Sequence, residues 1–296
     1  MLLRELNNTY GIDSQLSFSE EKHMVVININ TEYSSAKISL YGGQVLSFIP
    51  NGKRDLLFLS EKAFYQNEKA IRGGIPICWP WFGANSNNKN LPSHGFARLS
   101  NWIVTQTSLL NGEVHIQLQL KNSKTTEAIW PYKFETLLDL TIGESLKLNL
   151  TTFNKDDKAF TISSALHSYL NISDCEKISL EGLGNTGYRD DVLKITNLQK
   201  ESLLSIQGEV DRQYFNTSKT CIINDPDYER QIKIDKEGSQ TTVIWNPGED
   251  LSTKMTDLGN QEYKNMLCVE AANNMNDVIT IQSGNSHSLG TQISLV

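Results

Sequence analysis

Two arginines and a histidine bracket the most chemically loaded stretch of the sequence. Arg72-Gly73-Gly74-Ile75-Pro76 opens it and His94-Gly95-Phe96-Ala97-Arg98 closes it. Between Ile71 and Trp102 lie two Arg, one His, three Trp, four Gly and three Pro in thirty-two residues, a mixture that no regular helix or strand needs. Glycine lets backbone come close to a ligand, and aromatic faces can cover an apolar ring. Arginine offers a planar, permanently charged fork to an anion. Together these residues predict a pocket for a small, anionic, ring-shaped molecule. Any one of them would fit equally well in a Gly/Pro-rich loop with a structural histidine and surface arginines.

Further positions are suited to acid–base chemistry. His167 stands in Ser163-Ser164-Ala165-Leu166-His167-Ser168-Tyr169-Leu170, where an apolar strand ends before the turn-rich Asn171–Asp174. Its ring could face a cleft there, or be a satisfied structural histidine. Glu270 sits in Met266-Leu267-Cys268-Val269-Glu270-Ala271-Ala272, which reads as a buried strand. A carboxylate inside such a strand is unfavourable unless it is paired or used, and burial would raise its pKa towards the range of a general base. Alternation of the side chain outward to water is the other reading. Asp211-Arg212 is a weaker signal, since adjacent acid and base occur on any surface.

The elements that must position these groups are strands. Val114, Ile116, Leu118 and Leu120 alternate with His115, Gln117 and Gln119, the period-two pattern of a half-buried antiparallel strand; it places His115 on the solvated face. Leu138, Leu140 and Ile142 run into Gly143-Glu144, and Leu146, Leu148 and Leu150 follow, a hairpin signal. Lys37–Tyr41 alternates and breaks at Gly42-Gly43. Further strands are expected near Val25–Asn30, Thr161–Ala165, Lys177–Leu180, Gln231–Ile234, Thr242–Trp245, Val278–Gln282 and Ser288–Leu295. Helical periodicity is poor, apart from a short turn around Leu251–Leu258. No linker, repeat or low-complexity block divides the chain, so one large β-sandwich domain over residues 1–296 is expected.

Composition narrows the function classes. The chain has 296 residues and a net charge of −7, which argues against a nucleic-acid surface, because phosphate backbones are bound through a basic excess. A local arginine cluster can still attract a small anion. Cys78, Cys175, Cys221 and Cys268 form no CxxC pair; three of them lie in or beside apolar runs, the pattern of buried thiols in a reducing compartment. The segment Met1-Leu2-Leu3-Arg4-Glu5 turns polar at once, without a signal-peptide core, and no apolar run reaches membrane-spanning length. A soluble, cytoplasmic protein is expected.

Ile71-Arg72-Gly73-Gly74-Ile75-Pro76-Ile77-Cys78-Trp79-Pro80-Trp81-Phe82-Gly83 resembles the signature of the glucose-6-phosphate 1-epimerases, the hexose-6-phosphate mutarotases, a branch of the aldose 1-epimerase superfamily. The resemblance continues through His94–Arg98, Ala165–Tyr169, Val210-Asp211-Arg212, Val243-Ile244-Trp245-Asn246-Pro247 and Cys268-Val269-Glu270-Ala271. In order and spacing it covers nearly the whole chain. It implies a large antiparallel β-sandwich of the galactose mutarotase-like type with few short helices. It also implies His167 as general acid, Glu270 as general base, and Arg72, His94, Arg98 and Asp211 as substrate-binding residues. Many relatives carry Gln directly before the His-Gly-Phe-Ala-Arg run, where this chain has Ser93.

The implied reaction exchanges the α and β anomers of a hexose 6-phosphate by opening and closing the hemiacetal. Glutamate and histidine suit it because both exchange protons near neutral pH, and each is expected to favour the other's charged form. No metal, nicotinamide or nucleotide is called for, and the sequence has no P-loop, dinucleotide glycine fingerprint or close metal-ligand spacing. The expected partner is the sugar phosphate alone, with no nucleic acid or membrane, and a monomer is expected. The alternatives are a mutarotase for unphosphorylated aldoses, a non-catalytic sugar-phosphate-binding module, and a glycoside hydrolase. The hydrolase would normally need two carboxylates across the bond, whereas the best pair here is one Glu and one His.

Overall fold

In the computed structural model, which describes residues 2–85 and 88–296, four antiparallel sheets carry most of the chain. Met1, Ser86 and Asn87 lie outside the described residues. Leu16–Glu21, Met24–Asn30, Ser34–Ser39 and Gln44–Pro50 form a meander of neighbouring strands. A nine-stranded sheet runs Leu204–Ser205, Ser179–Glu181, Cys221–Asp225, Arg230–Glu237, Ser286–Leu295, Leu146–Asn154, Phe134–Ile142, Glu113–Lys121, Ile103–Leu110. An eight-stranded sheet runs Ile195–Gln199, Thr186–Asp190, Val210–Tyr214, Thr241–Asn246, Met266–Asn273, Ser164–Leu166, Ile77–Cys78, with Tyr169–Asn171 also paired to Met266–Asn273. Phe160–Ile162 pairs with Ile279–Ile281.

Period-two patterning accounts for the packing. Leu138, Leu140 and Ile142 stand opposite Leu150, Leu148 and Leu146 across the expected hairpin, and all six are buried. They join Ile232 and Ile293 from the same sheet, and Tyr214, Ile244, Leu166 and Val269 from the eight-stranded sheet, in one apolar cluster. Complete burial of one such side chain contributes roughly 1.5–3 kcal/mol, so the shared core is what holds the two large sheets face to face. His115 takes the outer face as expected and meets Thr141 Oγ1 at 3.1 Å. All four cysteines are free and buried.

Some elements differ from the sequence expectation. The Thr161–Ala165 run divides between two sheets at Ser163, whose Oγ accepts from Phe82 N at 2.9 Å and whose N–H donates to Pro80 O at 3.1 Å. A helix spans Leu3–Tyr10, where only Leu6 is buried, too little for a helical period to show. Another, Lys124–Ile129, begins at Ser123, whose hydroxyl caps Thr126 N. The turn expected around Leu251–Leu258 is a one-turn helix at Gly248–Ser252. No helix of the described residues is long and apolar enough to cross a membrane.

Candidate active site

Strand register builds the site. Arg189 lies opposite Gln213, Gln213 opposite Val243, and Val243 opposite Glu270. Leu166 pairs with Ala271, and Tyr169 with Cys268, so the register on either side sets His167 directly across from Glu270. Side chains in such a row share one face of the sheet. Along Met266–Asn273, Leu267, Val269 and Ala271 point into the shared core. Glu270 alternates to the opposite face, into a cavity of about 670 Å³ lined among others by Arg72, His94, Arg98, His167, Asp211 and Trp245. That face is covered too: Glu270 is only 1% exposed. Alternation therefore carries this carboxylate into an enclosed cleft, away from both core and bulk water.

His167 Nε2 stands 3.3 Å from Glu270 Oε1. Burial raises the Glu270 carboxyl well above its ordinary value, reinforced by Asp211 and opposed by Arg98. Burial also lowers His167 well below its ordinary value, reinforced by His94, Arg98 and Arg72. Both net shifts run against the direction expected if each partner's charge dominated the other. Desolvation is the largest cause of both shifts, and it disfavours the charged form of each partner.

The loop expected to approach a ligand presses on protein instead. A Cβ on Gly74 (φ +61) would lie 2.1 Å from Val45 O, and one on Gly95 (φ +72) would lie 2.0 Å from Trp79 O. These glycines admit neighbouring backbone. Trp79, Trp81 and Trp102 are buried in the core; Phe82 and Trp245 are the large aromatic rings that line the cavity. His94 keeps a left-handed backbone (φ +63) and accepts from Gly83 N at Nδ1, 3.3 Å, which leaves its proton on Nε2. Burial, with Arg98 and Arg72, pushes His94 down to about 3, so it is a neutral donor.

Comparison with known proteins identifies the family of this β-sandwich: the aldose 1-epimerase family model matches residues 25–294. The chain belongs to the aldose 1-epimerase family. It is 33% identical over 266 residues to an Escherichia coli K12 protein provisionally named glucose-6-phosphate 1-epimerase, spanning 88% of this chain and 87% of that protein. It is 37% identical over 247 residues to a protein of the same provisional name from Cenchrus ciliaris, covering 80% and 74%. A crystal structure provisionally named a mutarotase, from Salmonella typhimurium, superposes with a TM-score of 0.91 at 28% identity, covering 97% of this chain and 95% of that one.

In this epimerase the six residues singled out in the sequence all line one cavity, but they are not equivalent there. Arg72 donates from Nε and Nη2 to Asp257 Oδ2 (3.2 and 3.0 Å) and from Nη1 to the Tyr169 hydroxyl (2.8 Å). Arg98 donates from Nη2 to Ser93 O at 2.8 Å, and its buried Nε has no partner. Thus Ser93 meets Arg98 through its backbone, a contact any residue could make. Burial, with Asp191 and Glu209 beside it, pushes Asp211 up to about 6. Arg212, its neighbour, turns to the other face and pairs with Asp190 at 3.0 Å. Arg189, Asp191, Gln213 and Asn274 also line the cavity and Asp257 braces Arg72, none of them expected from the sequence. Arg189 is held by Asp191, Asp191 accepts from Gln213, and Gln213 accepts from Asn274. The alternation of Val210–Tyr214 with Asp211 would have pointed to Gln213; nothing local pointed to Asp257.

Proposed function

We propose that this epimerase interconverts the α and β anomers of a hexose 6-phosphate, with glucose 6-phosphate as the favoured substrate. His167 and Glu270 opposed at 3.3 Å, beside Arg98, which pairs with no carboxylate among the described residues and donates to Ser93 O, carry the reading. Glu270 takes the proton of the anomeric hydroxyl while His167 Nε2 gives one to the ring oxygen. The bond between the first carbon and the ring oxygen breaks, and the carbonyl forms. The aldehyde turns about the bond between its first two carbons and closes on its other face, each proton returning. Both strokes keep one proton on the pair. The neutral form that burial favours is the one that accompanies the open-chain aldehyde, so the cleft stabilises the enzyme state of the intermediate. In this reading His94 Nε2–H and the Asp211 carboxyl bind sugar oxygens and Arg98 binds the phosphate, a division of roles supported by their lining one cavity with the pair. The relatives named as glucose-6-phosphate 1-epimerases support that choice of sugar.

NMR magnetisation exchange between the two anomers, compared for glucose 6-phosphate and glucose, tests the proposal. Glu270→Gln and His167→Asn should each lower exchange by about 10²–10⁴-fold with the fold intact. Wild-type rates in either variant would refute the acid–base assignment. Saturable binding by the native protein without exchange would make it a binding module.

A further inference from the structure

A catalytic histidine is usually oriented by a carboxylate or carbonyl on the ring nitrogen that does not react. For His167 no other residue does this: its buried Nδ1 has no side-chain partner and reaches at most its own backbone. What fixes the ring plane is aromatic. The imidazole lies flat on Tyr169, with centroids 4.7 Å apart and planes 12° from parallel, and the edge-on contact with Trp245 is at 6.1 Å. Tyr169 is itself tethered through its hydroxyl, which accepts from Arg72 Nη1, while Asp257 engages the other side of the same guanidinium. Burial alone would push Arg72 down, but Tyr169 and Asp257 outweigh it, so the guanidinium stays charged and committed.

We infer that Asp257, Arg72 and Tyr169 form a positioning chain that sets the plane of the His167 imidazole, and that Arg72 acts on catalysis through Tyr169 more than through a substrate phosphate. The geometry is directional. Sliding of the Tyr169 ring along or away from His167 would carry its hydroxyl off Arg72, whose planar fork cannot follow without leaving Asp257. The stack also places an aromatic face against the imidazolium that must form transiently, a favourable contact for a cation. Tyr169, Arg72 and Asp257 thus stand to this histidine as an orienting carboxylate does elsewhere. The inference rests on His167 being the proton donor.

The test uses the full-length chain with Tyr169→Phe, Asp257→Asn and Arg72→Lys. Each keeps the local shape while cutting one link. Two readouts are taken: kcat and KM on glucose 6-phosphate and on glucose, and the His167 ring-proton resonances, assigned by their loss in His167→Asn. Each variant should lower kcat on both sugars alike by about 10- to 100-fold, the cost of a small misplacement. KM for the phosphosugar should not rise, and the ring-current displacement of the His167 signals should shrink. Tyr169→Leu, which removes the stack itself, should lose more. A raised KM for glucose 6-phosphate alone, with glucose exchange and the His167 signals unchanged, would make Arg72 a phosphate ligand and overturn the inference; unchanged kinetics and signals in all three would overturn it too. If the native protein exchanges neither sugar, the functional proposal fails, while the resonances still decide whether the chain holds the ring.

Discussion

Of the three guanidinium groups in the cavity, Arg72 and Arg189 already face carboxylates, whereas Arg98 is held by a backbone carbonyl. An unpaired charge in a half-buried site is unfavourable unless a ligand completes it, and a phosphate does so through charge-assisted, bidentate bonds. Losing one partner of such a pair costs roughly 2–5 kcal/mol. Arg98→Ala should then lower kcat/KM on glucose 6-phosphate by about 30-fold or more, at about 1.36 kcal/mol per tenfold, and change exchange of free glucose much less. Equal loss on both sugars would show that Arg98 holds the loop or the pyranose. Asp211 sets a second expectation. With its carboxyl raised to about 6, it is an acceptor above that pH and a neutral acid below it, so KM should rise as pH falls through 6. Glucose is the substrate to use, because a phosphate monoester itself titrates near 6. His94 and His167 both lie lower, and Glu270 is raised in part by Asp211 itself, so Asp211→Asn should remove or displace the inflection; an unmoved inflection there would assign it to neither Asp211 nor a group coupled to it.

The long connections from Pro50 to Ile77 and from Cys78 to Ala97 cover the site, and the glycines of the second divide by what surrounds them. Gly83 and Gly95 both hold left-handed backbone, but a Cβ at Gly83 meets nothing within 4 Å, whereas one at Gly95 meets Trp79 O at 2.0 Å. Gly83→Ala should cost only the conformational penalty of about 1–2 kcal/mol. Gly95→Ala must also displace the chain between His94 and Arg98. It should lower the melting temperature by more than twice as much and abolish exchange on both sugars; similar melting temperatures would show that the loop yields easily. The strands around these loops were legible because alternation is a local signal. Glu270 was legible for a related reason, being a carboxylate within an apolar run. The use of the glycines and tryptophans was not, because sequence shows that a close approach or a large ring is needed and not what lies opposite. The engagement of Arg72 by Asp257 joins residues far apart in the chain, and no periodicity encodes such a pair.

At the scale of the molecule, the eight-stranded sheet has two occupied faces. One packs on the nine-stranded sheet through Val269, Ile244 and Tyr214. The other carries the row from Arg189 through Gln213 and Val243 to Glu270 and His167 under the covering loops. Two-sided burial leaves every residue of Met266–Asn273 buried, which is why that segment reads as an apolar run rather than an alternating one. The antiparallel sandwich was foreseeable from its strands and turns; the order of strands within each sheet was not, since pairing partners are chosen by the whole core.

That order has a consequence for how the protein is made. Met266–Asn273 is inserted between Thr241–Asn246 and Ser164–Leu166, and Ser286–Leu295 between Arg230–Glu237 and Leu146–Asn154. A chain emerging from the ribosome therefore holds each large sheet as unjoined pieces until these late segments arrive. Until then, open strand edges and apolar faces are exposed to other nascent chains. Glu270 travels on the first of the two keystones, so it cannot oppose His167 before the sheet that bears them both is closed.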